Sequence, residues 1–254
     1  MKNLASLILS LLLFISITFL SCSDNTTDPE EQIIKNYFPN TEGSLYKYDL
    51  EITDSLGTSF TAERTSTYNG SAVFNSKSFQ IMVDNYVFPQ YSFTDSSYFR
   101  KSDNNFFYYA DVSQAMQIVP DSLKSLIQAD DEAKLFSFPI NVGDSSVVYK
   151  LAINYSGFLM NIVYVSSKVL NKENVSLTIN GSAFNKEAVK IRFTMSVIVE
   201  FPMLVSYVAE AWLVEDVGLV KLEGDSEAIN FMVGNNLFYP NGFVKQTLKQ
   251  YSIP

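Results

Sequence analysis

The chain has 254 residues, of which 47% are hydrophobic and 14% aromatic; this is the composition of a globular protein and excludes a disordered one. With 18 Lys+Arg against 27 Asp+Glu the formal net charge is −9, and without a basic run the chain lacks the cationic footprint that nucleic acid requires. Histidine is absent, which removes the commonest general base near neutral pH and the commonest metal ligand.

The first element is the run "MKNLASLILSLLLFISITFLSC". One lysine, an apolar stretch from Leu4 to Leu20 and then small, polar residues make the layout of a secretory signal peptide. The stretch is longer than a usual signal core, so an uncleaved transmembrane anchor is the competing reading. The sequence "FLSC" leading into "SDNTTDPEE" resembles the lipobox of bacterial lipoproteins, in which a cysteine is acylated and the chain is cut just before it. Ser21 fits the position preceding the cysteine, while Phe19 and Leu20 depart from the commonest residues. Cys22 is the single cysteine of the chain and falls where the motif requires it. The resemblance implies that residues 1–21 are removed, that Cys22 carries the lipid (palmitate and its companions), and that the protein is held at the cell envelope. Ser23 after the cysteine is compatible with the outer membrane, on its periplasmic or cell-surface face.

Residues 22–32 are polar and acidic and read as a flexible tether. From Ile33 to the end, alternation with a period of two dominates, which predicts strands with one buried face. In 45–53, Tyr46, Tyr48, Leu50 and Ile52 oppose Lys47, Asp49, Glu51 and Thr53. In 189–201, the odd-numbered positions from Val189 to Phe201 are all apolar. Turn signals recur at short intervals, as hairpins and meanders require. Leu123, Leu126 and Ile127 fall at helical spacing behind Pro120 and Asp121, which predicts a short helix over about 120–130. It separates halves at about 37–112 and 137–224. Each half opens with Phe-Pro, three residues and a glycine (Phe38–Gly43, Phe138–Gly143), and each carries an "NGSA" stretch (Asn69–Ala72, Asn180–Ala183). Two matches in the same order predict an internal duplication. The expected fold is therefore mainly β: an antiparallel curved sheet or half-open barrel built from two tandem β-meander repeats, with one short helix between them.

"YFPNTEGSLYKYDL", "ENVSLTINGSAFNKEAVKIRF" and "AEAWLVEDVGLVKLEG" resemble a group of bacterial lipoproteins and exported β-rich domains of unknown function. Gly181, Phe184, Lys190, Trp212, Gly218, Leu219, Val220 and Lys221 carry the resemblance. It implies an exported β-sheet protein and brings no catalytic residue.

Residues that could carry chemistry are sparse. No nucleophile-elbow, phosphate-loop or dinucleotide motif occurs. The acidic clusters Asp130–Glu132 and Glu215–Asp216 read as solvated surface, and "DNTTDPEE" and "EGDSE" lack EF-hand ligand spacing. The expectation is no enzyme, no cofactor and no metal site. Two apolar features suggest binding instead. The stretch 195–214 is a hairpin turning near 201–203, apolar on both sides. The hairpin 97–111 places Tyr98, Phe99, Tyr108 and Tyr109 as candidate contacts for a ligand or partner, since four successive aromatics must present rings to both faces. Two functions follow. One is a lipid-anchored, non-catalytic binding protein that holds a lipid or other hydrophobic ligand in the concave face of the sheet. The alternative is a surface-interaction or structural lipoprotein with a filled core, which meets an envelope protein or a polysaccharide through exposed aromatics.

Overall fold

The computed structural model describes residues 35–110, 124–155, 157–200, 203–233, 238 and 240–254, the side chains of Tyr155, Val199 and Glu200 excepted. In β1 (Leu45–Thr53) Tyr46, Tyr48, Leu50 and Ile52 are buried and the positions between them are not. Four more strands continue the meander: β2 (Ser59–Phe74), β3 (Lys77–Val87), β4 (Ser92–Ser102) and β5 (Asn105–Tyr109). A three-residue β6 (Ile127–Ala129) precedes β7 (Glu132–Ser137), which pairs with β5. The second meander runs through β8 (Ser145–Tyr155), β9 (Phe158–Ile179), β10 (Ser182–Glu200), β11 (Met203–Val214) and β12 (Gly218–Asp225). Helix α1 (Ser226–Val233) and β13 (Phe243–Ser252) follow.

All thirteen strands form one antiparallel sheet in the order β6-β8-β9-β10-β11-β12-β13-β1-β2-β3-β4-β5-β7. The pairing of β13 with β1, from Leu45↔Ser252 to Thr53↔Phe243, joins the two meanders. The sheet curls until β7 lies against β8, but no ladder joins those strands. The result is an open, curved sheet and not a closed barrel. Its concave side holds one contiguous core, rich in tyrosine and phenylalanine.

The doubling is visible in the backbone. Gly43 and Gly143 both take positive φ, at 85° and 93°, which glycine adopts without steric cost. Gly43 N–H donates to the Tyr68 carbonyl and Tyr68 N–H returns a bond to the Ser44 carbonyl. Gly143 N–H donates to the Val169 carbonyl and Val169 N–H to the Asp144 carbonyl. The two corners are copies, and each is followed by a register shift, between Tyr68 and Ser71 in one and at Val169–Asn171 in the other. The "NGSA" stretches are not equivalent, however. Asn180-Gly181 is a hairpin turn with φ of 53° and 74°, and its counterpart is Asn75-Ser76, at 49° and 62°. Asn69-Gly70 lies inside β2 as a bulge. Both settings demand positive φ, so the same dipeptide serves two purposes.

The helix expected over 120–130 starts outside the described residues, which exclude 111–123. Within them, Lys124 is helical, but Ile127–Ala129 is strand β6, paired with Leu151–Ile153. Three apolar residues at helical spacing are too few to outweigh the open edge of β8. The described helix is α1 at Ser226–Val233. Just before it, Gly224 lets β12 approach β11 closely, since a Cβ there would collide with the Val208 carbonyl and with Ala209.

Candidate functional site

Three places could bind something: the concave interior, the seam where the sheet fails to close, and an aromatic cluster on the convex face. The interior is plugged from both ends. At the end where the described chain begins, Phe38 inserts against Phe106, Phe99 and Phe136, with ring centroids 4.1, 5.6 and 6.3 Å away. Tyr46 O–H donates to the Pro39 carbonyl at 2.9 Å and holds this plug. Across the other end lies α1, with Ala228, Ile229 and Val233 buried. Ser97 Oγ donates to the Val233 carbonyl at 2.9 Å, and the Phe231 ring lies 5.4 Å from Tyr149. Asn230 secures the return of the chain by bonding both the N–H and the carbonyl of Phe238 at 2.9 Å.

Within the core sits an ion pair. Arg64 Nε and Nη2 donate to the two oxygens of Asp84, both at 2.9 Å. Ser66 Oγ adds a bond of 2.5 Å to Asp84, and Arg64 Nη1 donates to Gln246 Oε1 at 3.1 Å. The Arg64 guanidinium lies 5.6 Å from the ring centres of both Tyr48 and Tyr86. Burial opposes the charge on Arg64, yet Asp84 holds the guanidinium protonated. Burial also pushes the phenols of Tyr48, Tyr68 and Tyr86 well above their ordinary range, so they are neutral at physiological pH. What remains open between the two plugs is a largely apolar cavity of about 70 Å³, walled by Arg64, Met82, Leu135, Phe136 and Phe193 among others. That is room for one or two water molecules.

The seam is larger and more polar. A cleft of about 250 Å³ lies between β7 and β8. Its rim carries Lys134, Ser137, Asp144 and Ser146, and its floor Ile140, Val169 and Ile191. Phe136 is common to the cleft and to the interior cavity.

The candidate aromatic contacts divide by face. Phe99 and Tyr108 point inward and are 3% and 6% exposed, which makes them core and corrects their reading as contact residues. Inward-facing positions of β4 and β5 meet the Phe38 plug, so strand alternation buries them. Tyr98 and Tyr109 lie on the convex face, half-buried. There Tyr109 stacks on Phe74 at 4.2 Å and Tyr98 meets Phe74 edge-on at 4.8 Å. Phe79, 1% exposed, completes this outer cluster with Arg100, whose guanidinium lies 4.2 Å from the Phe107 ring centre. Arg100 pairs with Glu132, which Lys77 also contacts at 2.5 Å. Glu215, from the other acidic cluster, bonds Lys35 at 2.6 Å. No three potential metal ligands converge among the described residues. The proposed acylation site, Cys22, lies outside them.

The sequence reading missed the Phe38 plug, α1 and the Arg64–Asp84 pair. A signal for the pair existed. Arg64 and Ser66 stand in the inward register of Ala62 and Tyr68, and Asp84 stands between Met82 and Tyr86.

Fold and site together define an open antiparallel sheet with a filled concave face. No protein-family profile and no curated protein matches the chain. Among solved structures it is similar to a protein designated exported, with a YmcC-like fold, from Bacteroides fragilis: 14% identity over 86% of this chain and 99% of that one, TM-score 0.46. It is also similar to a protein designated a lipoprotein from Parabacteroides distasonis, with 14% identity, 87% and 100% coverage and a TM-score of 0.42. The hypothetical lipoprotein YmcC of Escherichia coli K12 follows with 10% identity, 80% and 83% coverage and a TM-score of 0.32.

Proposed function

We propose that this chain is a lipid-anchored, exported protein of the bacterial cell envelope, acylated at Cys22, whose β domain is a non-catalytic interaction module with a filled core. The observation that carries the choice of a filled core over a lipid-holding one is the size of the interior. A cavity of about 70 Å³ is well below the ~300–1,000 Å³ of small-molecule pockets, and Phe38 and α1 occupy the space that an acyl chain would need. The lipobox-like sequence supports the anchor, and the outer membrane is its expected address. Partners of the convex face would be an envelope protein or a polysaccharide meeting Tyr98 and Tyr109. Replacing Cys22 with serine should move the protein from the membrane fraction to the soluble one; unchanged retention would favour an uncleaved membrane span and overturn the anchor.

The seam favours a second reading, in which a small ligand with a polar head and an apolar tail enters between β7 and β8. The cleft is within reach of the lower end of pocket sizes, and Phe136 lines both it and the interior cavity. On this reading Phe136→Ala would raise the affinity for a short-chain fatty acid by joining the two spaces; the filled-core reading expects no binding to either protein.

A further inference from the structure

Strand direction sorts the exposed apolar side chains by rim. β1, β3, β8 and β10 run away from the glycine corners at Gly43 and Gly143, so the turns after them share the far rim. That rim displays Leu56 in the β1–β2 turn, Val87 and Tyr91 between β3 and β4, Phe158 and Leu159 at the β8–β9 turn, and Met203 and Leu204 where β11 begins. Their exposures run from 46% at Val87 to 89% at Leu56, with Phe158 at 79% and Leu204 at 60%. The opposite rim has isolated cases such as Val73 and Val142, which need no explanation. The β8–β9 and β10–β11 hairpins are also almost without charge: residues 151–167 contain no Asp, Glu, Lys or Arg, and 193–209 contain only Glu200. The last β11–β12 rung is Ala209↔Gly224, so β10 and β11 run on beyond β12.

We propose that this far rim, led by the β8–β9 and β10–β11 hairpin ends, docks into the surface of the bilayer that holds the acyl anchor. The proposal rests on acylation at Cys22. A protein partner would meet a mixed patch, with aromatic and arginine anchors inside a polar rim. Narrow hairpin ends carrying Phe, Leu and Met and almost no charge suit the headgroup–acyl boundary, about 5–10 Å deep. At ~3.3 Å per residue that depth takes two or three residues of each strand, matching the pairs Phe158–Leu159 and Met203–Leu204.

The connection to the anchor is long enough. The chain joins the fold at the opposite rim, where Lys35 bonds Glu215 and Asp216 N–H donates to the Asn36 carbonyl. The 12 residues of β11 separate the rims by ~40 Å at ~3.3 Å per residue. The segment from Cys22 to Lys35 reaches up to ~45 Å when extended, at ~3.3–3.6 Å per residue, so anchor and far rim can share one bilayer.

The test uses the full lipoprotein reconstituted in phosphatidylcholine vesicles, with Phe158→Cys, Leu204→Cys or Val73→Cys labelled by a polarity-sensitive fluorophore. With Cys22 acylated, each variant should bind one label. Emission at positions 158 and 204 should shift to the blue and be quenched by nitroxide-labelled lipid, while that at 73 should report water. Deleting residues 24–30 should return the first two probes to water, because the shortened connection no longer spans the fold. One label per chain with unshifted emission at all three positions would overturn docking while leaving the anchor intact. A blue shift that grows with protein concentration when the same labels are carried by the non-acylated Cys22→Ser protein without vesicles would overturn it in favour of contact between copies. A second label at Cys22 would refute the anchor and this proposal with it.

Discussion

Asp84 is the residue on which the interior most depends. It is fully buried and takes three hydrogen bonds, two from Arg64 and one from Ser66. Asp84→Asn would leave the Arg64 guanidinium charged and uncompensated, at a cost of about 3–5 kcal/mol, read as a fall in the urea midpoint with little change in slope. The double replacement Arg64→Met, Asp84→Leu should recover much of that loss, because removing both charges also removes their desolvation penalty. A second expectation concerns pH. Burial works against the charge on Glu132, but Arg100 and Lys77 outweigh it and hold its carboxyl below the usual glutamate range. Lys190 and Arg192 do the same for Glu210. A lowered folded value means that the stabilisation is complete above the unfolded glutamate pKa of ~4.3 and is lost as pH falls through the folded value. The thermal midpoint should therefore drop on acidification, and Glu132→Gln should flatten that dependence while costing about 1–3 kcal/mol at neutral pH.

Among the elements, α1 is the clearest case of a local shape serving a distant surface. Gly224 lets β12 pass so close to β11 that the chain can turn directly into the helix. Gly224→Ala should destabilise by about 1–3 kcal/mol through overpacking, and hydrogen exchange should show the loss first in α1 and at the Val208–Ala209 amides. Tyr109→Ala should destabilise, because its ring stacks on Phe74, and should also weaken the partner interaction proposed for the convex face; a lowered melting temperature with an unchanged interaction would make the outer cluster packing alone. Sequence reading succeeded where one face of a strand is wholly dry, as at Tyr46–Ile52 and Val189–Met195. It aligned the duplicated halves at the wrong asparagine–glycine pair, because the bulge at Gly70 and the hairpin turn at Gly181 both need positive φ at the glycine. It missed α1 because eight residues barely complete two turns and begin without a loop after a strand. The pairing of β13 with β1 had no local signal, being set by how both meanders share one core.

For the molecule as a whole, the tight interior is the feature on which the proposed function rests. Tyrosine and phenylalanine from both meanders, Phe38 from one end and α1 from the other leave about 70 Å³ open, and the proposed function therefore places any interaction at the outer surface, the seam or the rims. Alternation could not reveal this, since a core side chain and a ligand-lining side chain follow the same period of two; only the Phe38 plug and the crossing helix distinguish them. Native mass spectrometry of the protein gently extracted from the envelope tests this account most directly. The predicted result is a single species that starts at Cys22, carries covalent acyl groups and retains no additional lipid once detergent is removed. A stoichiometric non-covalent lipid that survives this treatment and leaves when Phe38 or α1 is perturbed would contradict it.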